Sequence, residues 1–199
     1  MKKLLCALLL LGSFSSHAGL IDFEALPGGP ADPINTDGFI FDFEASAFGV
    51  FVEPDPFPGL SSNGTTRIGA QGGGAAPARL TMFADDNSLF TVLGFDLASL
   101  FSSLSGTVVV VGTLADNSTV SQIFNVSGSF TTFSLDASFS DLQRISFAEN
   151  LTPPNTGAFG QTAGFFVDNI QTAEVPEPGS MLLLILGLAG ISVLRRKHS

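Results

Sequence analysis

The sequence predicts an all-β protein whose folded part is a single jelly-roll-like sandwich of about nine or ten strands. Three observations carry that expectation. Short apolar runs recur at roughly 8–15-residue spacing, separated by Gly, Pro, Asn and Asp clusters, and no convincing helical pattern lies between them. The aromatic residues are 20 phenylalanines with no Trp or Tyr, which carry apolar area without a polar handle and suit packing between two sheets. No repeat of fixed period appears, which disfavours a propeller or solenoid.

In chain order, Leu20 to Glu24 reads as a short first strand, ended by Pro27-Gly28-Gly29-Pro30. Phe39 to Phe43 and Phe48 to Val52 follow as neighbouring strands. Between Glu53 and Pro77 three prolines and the Gly69 and Gly72-Gly73-Gly74 positions cannot continue a central strand and predict a long surface excursion, mobile ahead of functional. Arg79 to Phe83 resumes the strands. Phe90 to Leu97 places Leu93, Phe95 and Leu97 on one face. Thr107 to Leu114 is nearly all β-branched and predicts a strand that is buried on both faces or central. Ser121 to Val126, Phe130 to Leu135, Leu142 to Ala148 and Gly164 to Thr172 complete the set.

The residue inventory excludes several chemistries. The segment 19–174 holds no cysteine, histidine or lysine, so Ser-His-Asp, Cys-His and Schiff-base mechanisms and His/Cys zinc sites cannot be assembled there. Paired carboxylates remain, which leaves a glycoside hydrolase as the least supported of three functional readings. The same segment carries Arg67, Arg79 and Arg144 against 17 Asp and Glu, a net charge of −14. Such a surface repels nucleic acid and favours either plain solubility or divalent cations.

Both ends of the chain read as targeting segments. Lys2-Lys3, the apolar Leu4 to Leu11 and the small residues at Ser16 and Ala18 form a secretory signal peptide over residues 1–18, cleaved after Ala18. Cys6 leaves with it, so residues 19–174 form a disulfide-free β-sandwich domain. Residues 175–199 begin with Val175-Pro176-Glu177-Pro178, continue with an apolar run from Met181 to Leu194, and end with Arg195-Arg196-Lys197. Prolines end the preceding element and the cations hold the far side of a membrane helix over 181–194. Fourteen residues span only about 21 Å as a helix, short for a hydrocarbon core of about 30 Å.

This tail resembles the PEP-CTERM sorting signal of bacterial exported proteins. The resemblance implies export through the Sec machinery, an inner-membrane intermediate held by the C-terminal helix, and processing by an exosortase that recognises the Pro-Glu-Pro region. It further implies a cell-surface or matrix location in a Gram-negative bacterium that makes exopolysaccharide and biofilm. The end strands, Asp22-Phe23-Glu24 and Val167-Asp168-Asn169-Ile170, resemble those of jelly-roll carbohydrate-binding modules. That likeness implies a structural calcium shared by Glu24 and Asp168, with Asp22 behind them as a candidate. The alternative is that Asp22 and Glu24 face solvent and Asp168 merely ends a strand. The leading expectation is a non-enzymatic surface or matrix protein; the runner-up is a calcium-dependent glycan binder. The runner-up wants an aromatic platform, for which only Phe57 and Phe159 stand out in loops.

Overall fold

A computed structural model describes residues 19–30, 32–43, 50–54, 58–72, 77–149 and 164–174. The described residues contain thirteen strands and no helix. In order they are β1 (Gly19–Ile21), β2 (Gly29–Pro30), β3 (Ile34–Thr36), β4 (Phe39–Phe43), β5 (Val50–Glu53), β6 (Arg67–Gln71) and β7 (Arg79–Ala84). They continue with β8 (Phe90–Ser99), β9 (Gly106–Leu114), β10 (Thr119–Val126), β11 (Thr131–Ser134), β12 (Leu142–Glu149) and β13 (Gly164–Glu174). Every pairing is antiparallel.

Hydrogen bonding runs through one curled sheet whose halves pack face to face. The first half, sheet I, has the order β10-β9-β12-β7-β4-β3. The second, sheet II, has the order β2-β5-β6-β13-β8-β11, with β1 pairing β13 beyond the stretch that pairs β6. The halves meet at the pair Leu142↔Phe90 between β12 and β8. The all-β sandwich is thus the architecture the sequence predicts, with the extra strands coming from the short β2 and β3 and from β6.

Strand alternation builds the core. From sheet I, Phe41, Leu80, Met82, Val108, Val110, Phe124, Ile145 and Phe147 point inward; Ile68, Phe95, Leu97, Phe165 and Val167 do so from sheet II. Phenylalanines meet edge to face: Phe95 lies 5.0 Å from Phe147 and 5.5 Å from Phe124 between ring centroids, each pair near perpendicular. Such pairs add about 0.5–1.5 kcal/mol beyond the area they bury. The β-branched run of β9 is central in sheet I, between β10 and β12, with Val108 and Val110 inward and Val109 and Val111 half-exposed on the outer side.

Three local expectations are corrected. The first strand stops at Ile21, because Phe23 takes a left-handed conformation (φ 59°) that turns its ring into the core, 5.2 Å from Phe41. A bulky residue there is strained by about 1–3 kcal/mol, which burial of the ring offsets. The stretch from Glu53 to Pro77 is not a wholly unpaired excursion: β6 lies inside it, buried, paired to β5 on one side and β13 on the other. Gly69 stands in that strand opposite Phe166. Leu93 does not share a face with Phe95 and Leu97. The register between β13 and β8 shifts around Gln171, and Leu93 is turned out, 49% exposed. The signal peptide, the sorting tail with its helix, Phe57 and Phe159 lie outside the described residues.

Candidate functional site

The acids singled out from the end strands converge on one loop. Glu24 follows β1 and is exposed; its Oε1 accepts a hydrogen bond from the Thr66 backbone N–H at 3.0 Å. Asp168, fully buried in β13, accepts at Oδ2 from Asn63 Nδ2 and from Thr65 Oγ1, both at 2.7 Å. The segment Asn63–Thr66 is therefore pinned from both sides. Asp22 stays local: its Oδ1 accepts the Glu24 N–H at 3.2 Å, an Asx-type turn.

Cross-strand register explains why Asp168 is buried among polar groups. On the outer face of sheet II, Asp168 stands opposite Asp96 of β8, and Asp96 stands opposite Thr132 of β11. Asn169, left-handed at φ 50°, sits where the register slips and donates Nδ2 to Asp96 Oδ2 at 2.8 Å. Thr132 Oγ1 donates to Asp96 Oδ1 at 2.6 Å. Like charges placed opposite each other are unfavourable in a ladder, and these donors compensate them. Burial pushes the Asp168 carboxyl above the usual range, with Asp96 adding to the rise, while the Thr65, Asn63 and Asn169 hydrogen bonds oppose it.

The part of that outer face next to Asp168 is covered. Arg67 is fully buried beside Asp168's row, gives Nη1 to the Thr65 carbonyl at 3.2 Å and lies 4.6 Å over the Phe166 ring. Phe166 also stacks with Phe130 at 6.4 Å. The chain around Leu60 bridges to Phe101, Ser61 N–H bonds the Leu100 carbonyl, and Ser99 N–H bonds the Ser127 carbonyl. Gly128 permits this close cover, because a Cβ there would collide with the Ser102 backbone.

A hard cation needs several oxygen lone pairs. Around Asp168 the N–H and O–H donors of Asn63, Thr65 and Asn169 occupy both carboxylate oxygens. Among the described residues no three His, Cys, Asp or Glu side chains gather as a metal group. As arranged, Glu24 and Asp168 both hold a loop of their own chain.

A different arrangement occupies the outer face of sheet I. Alternation in β7 turns Arg79, Thr81 and Phe83 outward, opposite the inward Leu80 and Met82. Beside them stand Asp42 of β4, paired with Thr81, and Arg144 and Ser146 of β12. Thr81 Oγ1 and Ser146 Oγ are 2.9 Å apart across the strands. Asp42, Thr81, Phe83, Asn87, Gln143 and Arg144 line an open cleft of about 430 Å³, with Leu89 at its side. Sequence reasoning missed this cleft, although the alternation of Arg79, Thr81 and Phe83 against Leu80 and Met82 is its signal. A second cleft of about 410 Å³, at the end where β1 begins, is lined by Leu20, Phe39 and Phe90 and by Asp37, Asp85 and Asp86.

Elsewhere Glu149, at the end of β12 opposite Val108, is buried, and desolvation pushes its carboxyl up to about 7, with a backbone hydrogen bond at Ala78 pulling the other way.

No curated protein sequence matches the chain. Among solved structures it is similar to a family 29 carbohydrate-binding module, with 14% identity, 83% of this chain and 97% of that chain covered, and a TM-score of 0.49. A variant of such a module complexed with mannohexaose gives 14%, 81%, 94% and 0.47. The enzymatically active domain of tailspike protein 4 of bacteriophage CBA120 gives 14%, 71%, 20% and 0.42. Overlaps this loose carry no weight for ligand or activity. Residues 174–197 match the PEP-CTERM protein-sorting motif, and the chain is a PEP-CTERM sorting domain-containing protein, exported with a C-terminal membrane-anchoring sorting signal.

Proposed function

We propose that this is a non-enzymatic surface or matrix protein, processed by an exosortase and held among exopolysaccharide outside the cell. The observation that carries the reading is the sorting motif at residues 174–197 joined to an acidic sandwich without cysteine, histidine or lysine between residues 19 and 174. A domain of that composition stays soluble through its charge and gains nothing from an oxidising compartment. Export begins with removal of the leader after Ala18, the inner membrane then holds the chain by its tail, and the exosortase acts at Val175-Pro176-Glu177-Pro178, before the basic cluster Arg195-Arg196-Lys197. Cell fractionation with mass spectrometry of the mature ends tests this. The expected species starts at Gly19, lacks the basic cluster and is recovered outside the inner membrane. An intact chain in the cytoplasm would overturn the reading.

A calcium ion shared by Glu24 and Asp168 is a second reading, supported by the convergence of both carboxylates on Asn63–Thr66. The donors packed around Asp168 weigh against it. Calorimetry with calcium and with a chelator separates the two: a bound ion raises the melting temperature with the logarithm of its free concentration above Kd, whereas a hydrogen-bonded latch is indifferent to both.

A further inference from the structure

We propose that the cleft on the outer face of sheet I, around Phe83 and Arg144, binds an uncharged, hydroxyl-rich sugar chain, and does so without calcium. The proposal rests on the reading of the protein as an exported, polysaccharide-associated one, and adds to it a place and a ligand class.

The face is open where the surroundings of Asp168 on sheet II are covered. Arg79 and Arg144 are exposed, Ile40, Phe83, Val109, Val111 and Ala148 are half-exposed, and Ile123 is 64% exposed. Within it the cleft brings together opposite kinds of hydrogen-bonding group. Arg144 only donates, Asp42 only accepts, and Asn87 and Gln143 do both. A sugar hydroxyl donates and accepts at one oxygen, so a ligand bearing many of them uses all of these groups at once. The groups are held in place. Gln143 gives Nε2 to the Ala115 carbonyl at 2.9 Å, Asp42 Oδ1 accepts the Phe43 N–H at 2.9 Å, and Thr81 is tied to Ser146. Phe83 adds an aromatic surface on which an apolar sugar face can lie.

Charge selects the class. A polyanion meets Asp42 in the cleft and a domain of net charge −14 around it. A basic partner meets Arg144 and, four residues along the strand from it in register, Arg79. That spacing is roughly 13 Å along the sheet, with the Thr81–Ser146 hydroxyl pair between. It suits an extended neutral chain better than a single small molecule.

The test uses the detergent-solubilised full chain in affinity electrophoresis through gels containing neutral α-glucan, β-glucan, xylan or mannan, with alginate as the polyanion, each with calcium and with EDTA. The expected result is retardation by at least one neutral polymer, unchanged by EDTA, at least tenfold weaker in Phe83→Ala and in Arg144→Ala, and preserved in Phe83→Tyr. Melting temperatures of the variants close to the parent's separate loss of the cleft from loss of the fold. No retardation by any neutral polymer, retardation by alginate alone, loss on chelation, or retardation indifferent to both alanine variants would each overturn it. Self-association that Phe83→Ala abolishes, with no sugar retardation, would make the face an interface between copies. Fractionation of the same strain reports export whatever the gels show, so failure of the cleft and failure of the surface-protein reading are told apart.

Discussion

The two outer faces of the sandwich carry similar residue types and use them in opposite ways. On sheet II, Asp168 and Arg67 lie beneath loops, and the hydrogen-bonding groups of Asp168 are met by the chain itself. On sheet I, Asp42 and Arg144 border an open cleft with Thr81 and Asn87. An acid in a strand is therefore not a binding residue by its type. What decides is whether the chain returns over it with donors, as Asn63 and Thr65 do over Asp168, or leaves it facing solvent.

Substitution of the two aspartates is the strongest way to break that contrast. Asp168→Ala removes a buried acceptor and strands the Asn63 and Thr65 donors, so it is expected to cost about 2–4 kcal/mol in denaturant unfolding. Asp42→Ala, on the open face, is expected to stay within about 0.5 kcal/mol. Equal costs would show that the covered face is no more structural than the open one.

A smaller effect comes from pH. Glu149 has a folded pKa of about 7 against 4.5 as its ordinary value, and Asp168 is raised in the same sense. Between those values the folded protein holds a proton that the unfolded chain has lost, so stability falls as pH rises from about 5 to about 7.5 and is flat above. Discounted for partial solvent access, Glu149 contributes about 1–2 kcal/mol to that fall. Melting curves across this range should show the slope, and Glu149→Gln should flatten most of it; a rise in stability with pH would contradict the burial of both acids.

Smallest is the expected effect of Phe83→Ala on folding, about 1 kcal/mol or less, since the ring is half-exposed and outside the core cluster. A loss as large as that of Phe95→Ala, about 3–5 kcal/mol, would mean that Phe83 is packing and not platform.

Much of this was legible in the chain. Arg79 to Phe83 was read as a strand, though its inward and outward faces were not drawn, and the β-branched run of β9 marked a strand deep in the sheet. Asp22, Glu24 and Asp168 were identified from the end strands, but the partner loop was not. Asn63-Gly64-Thr65-Thr66 has the composition of a mobile turn, and tertiary contacts with Glu24 and Asp168 tie it to the end strands. Strand β6 was hidden for a related reason. Glycine weakens a strand's local preference, yet Gly69 is held because β5 and β13 satisfy its neighbours on both sides. Leu93 was misplaced because a register slip leaves no mark in hydrophobic period.

The pairing of β1 with β13, Gly19 opposite Thr172, makes the two ends of the domain leave side by side. A chain whose leader and sorting tail both rest in one membrane is closed into a ring by that geometry, with the lipid as the clasp. Such closure would shrink the unfolded ensemble much as circularisation does. A cut after Ala18 would cost the folded state no strand pairing, because it falls outside the ladder that begins at Gly19. The sandwich is built to be let go of at one end without coming open.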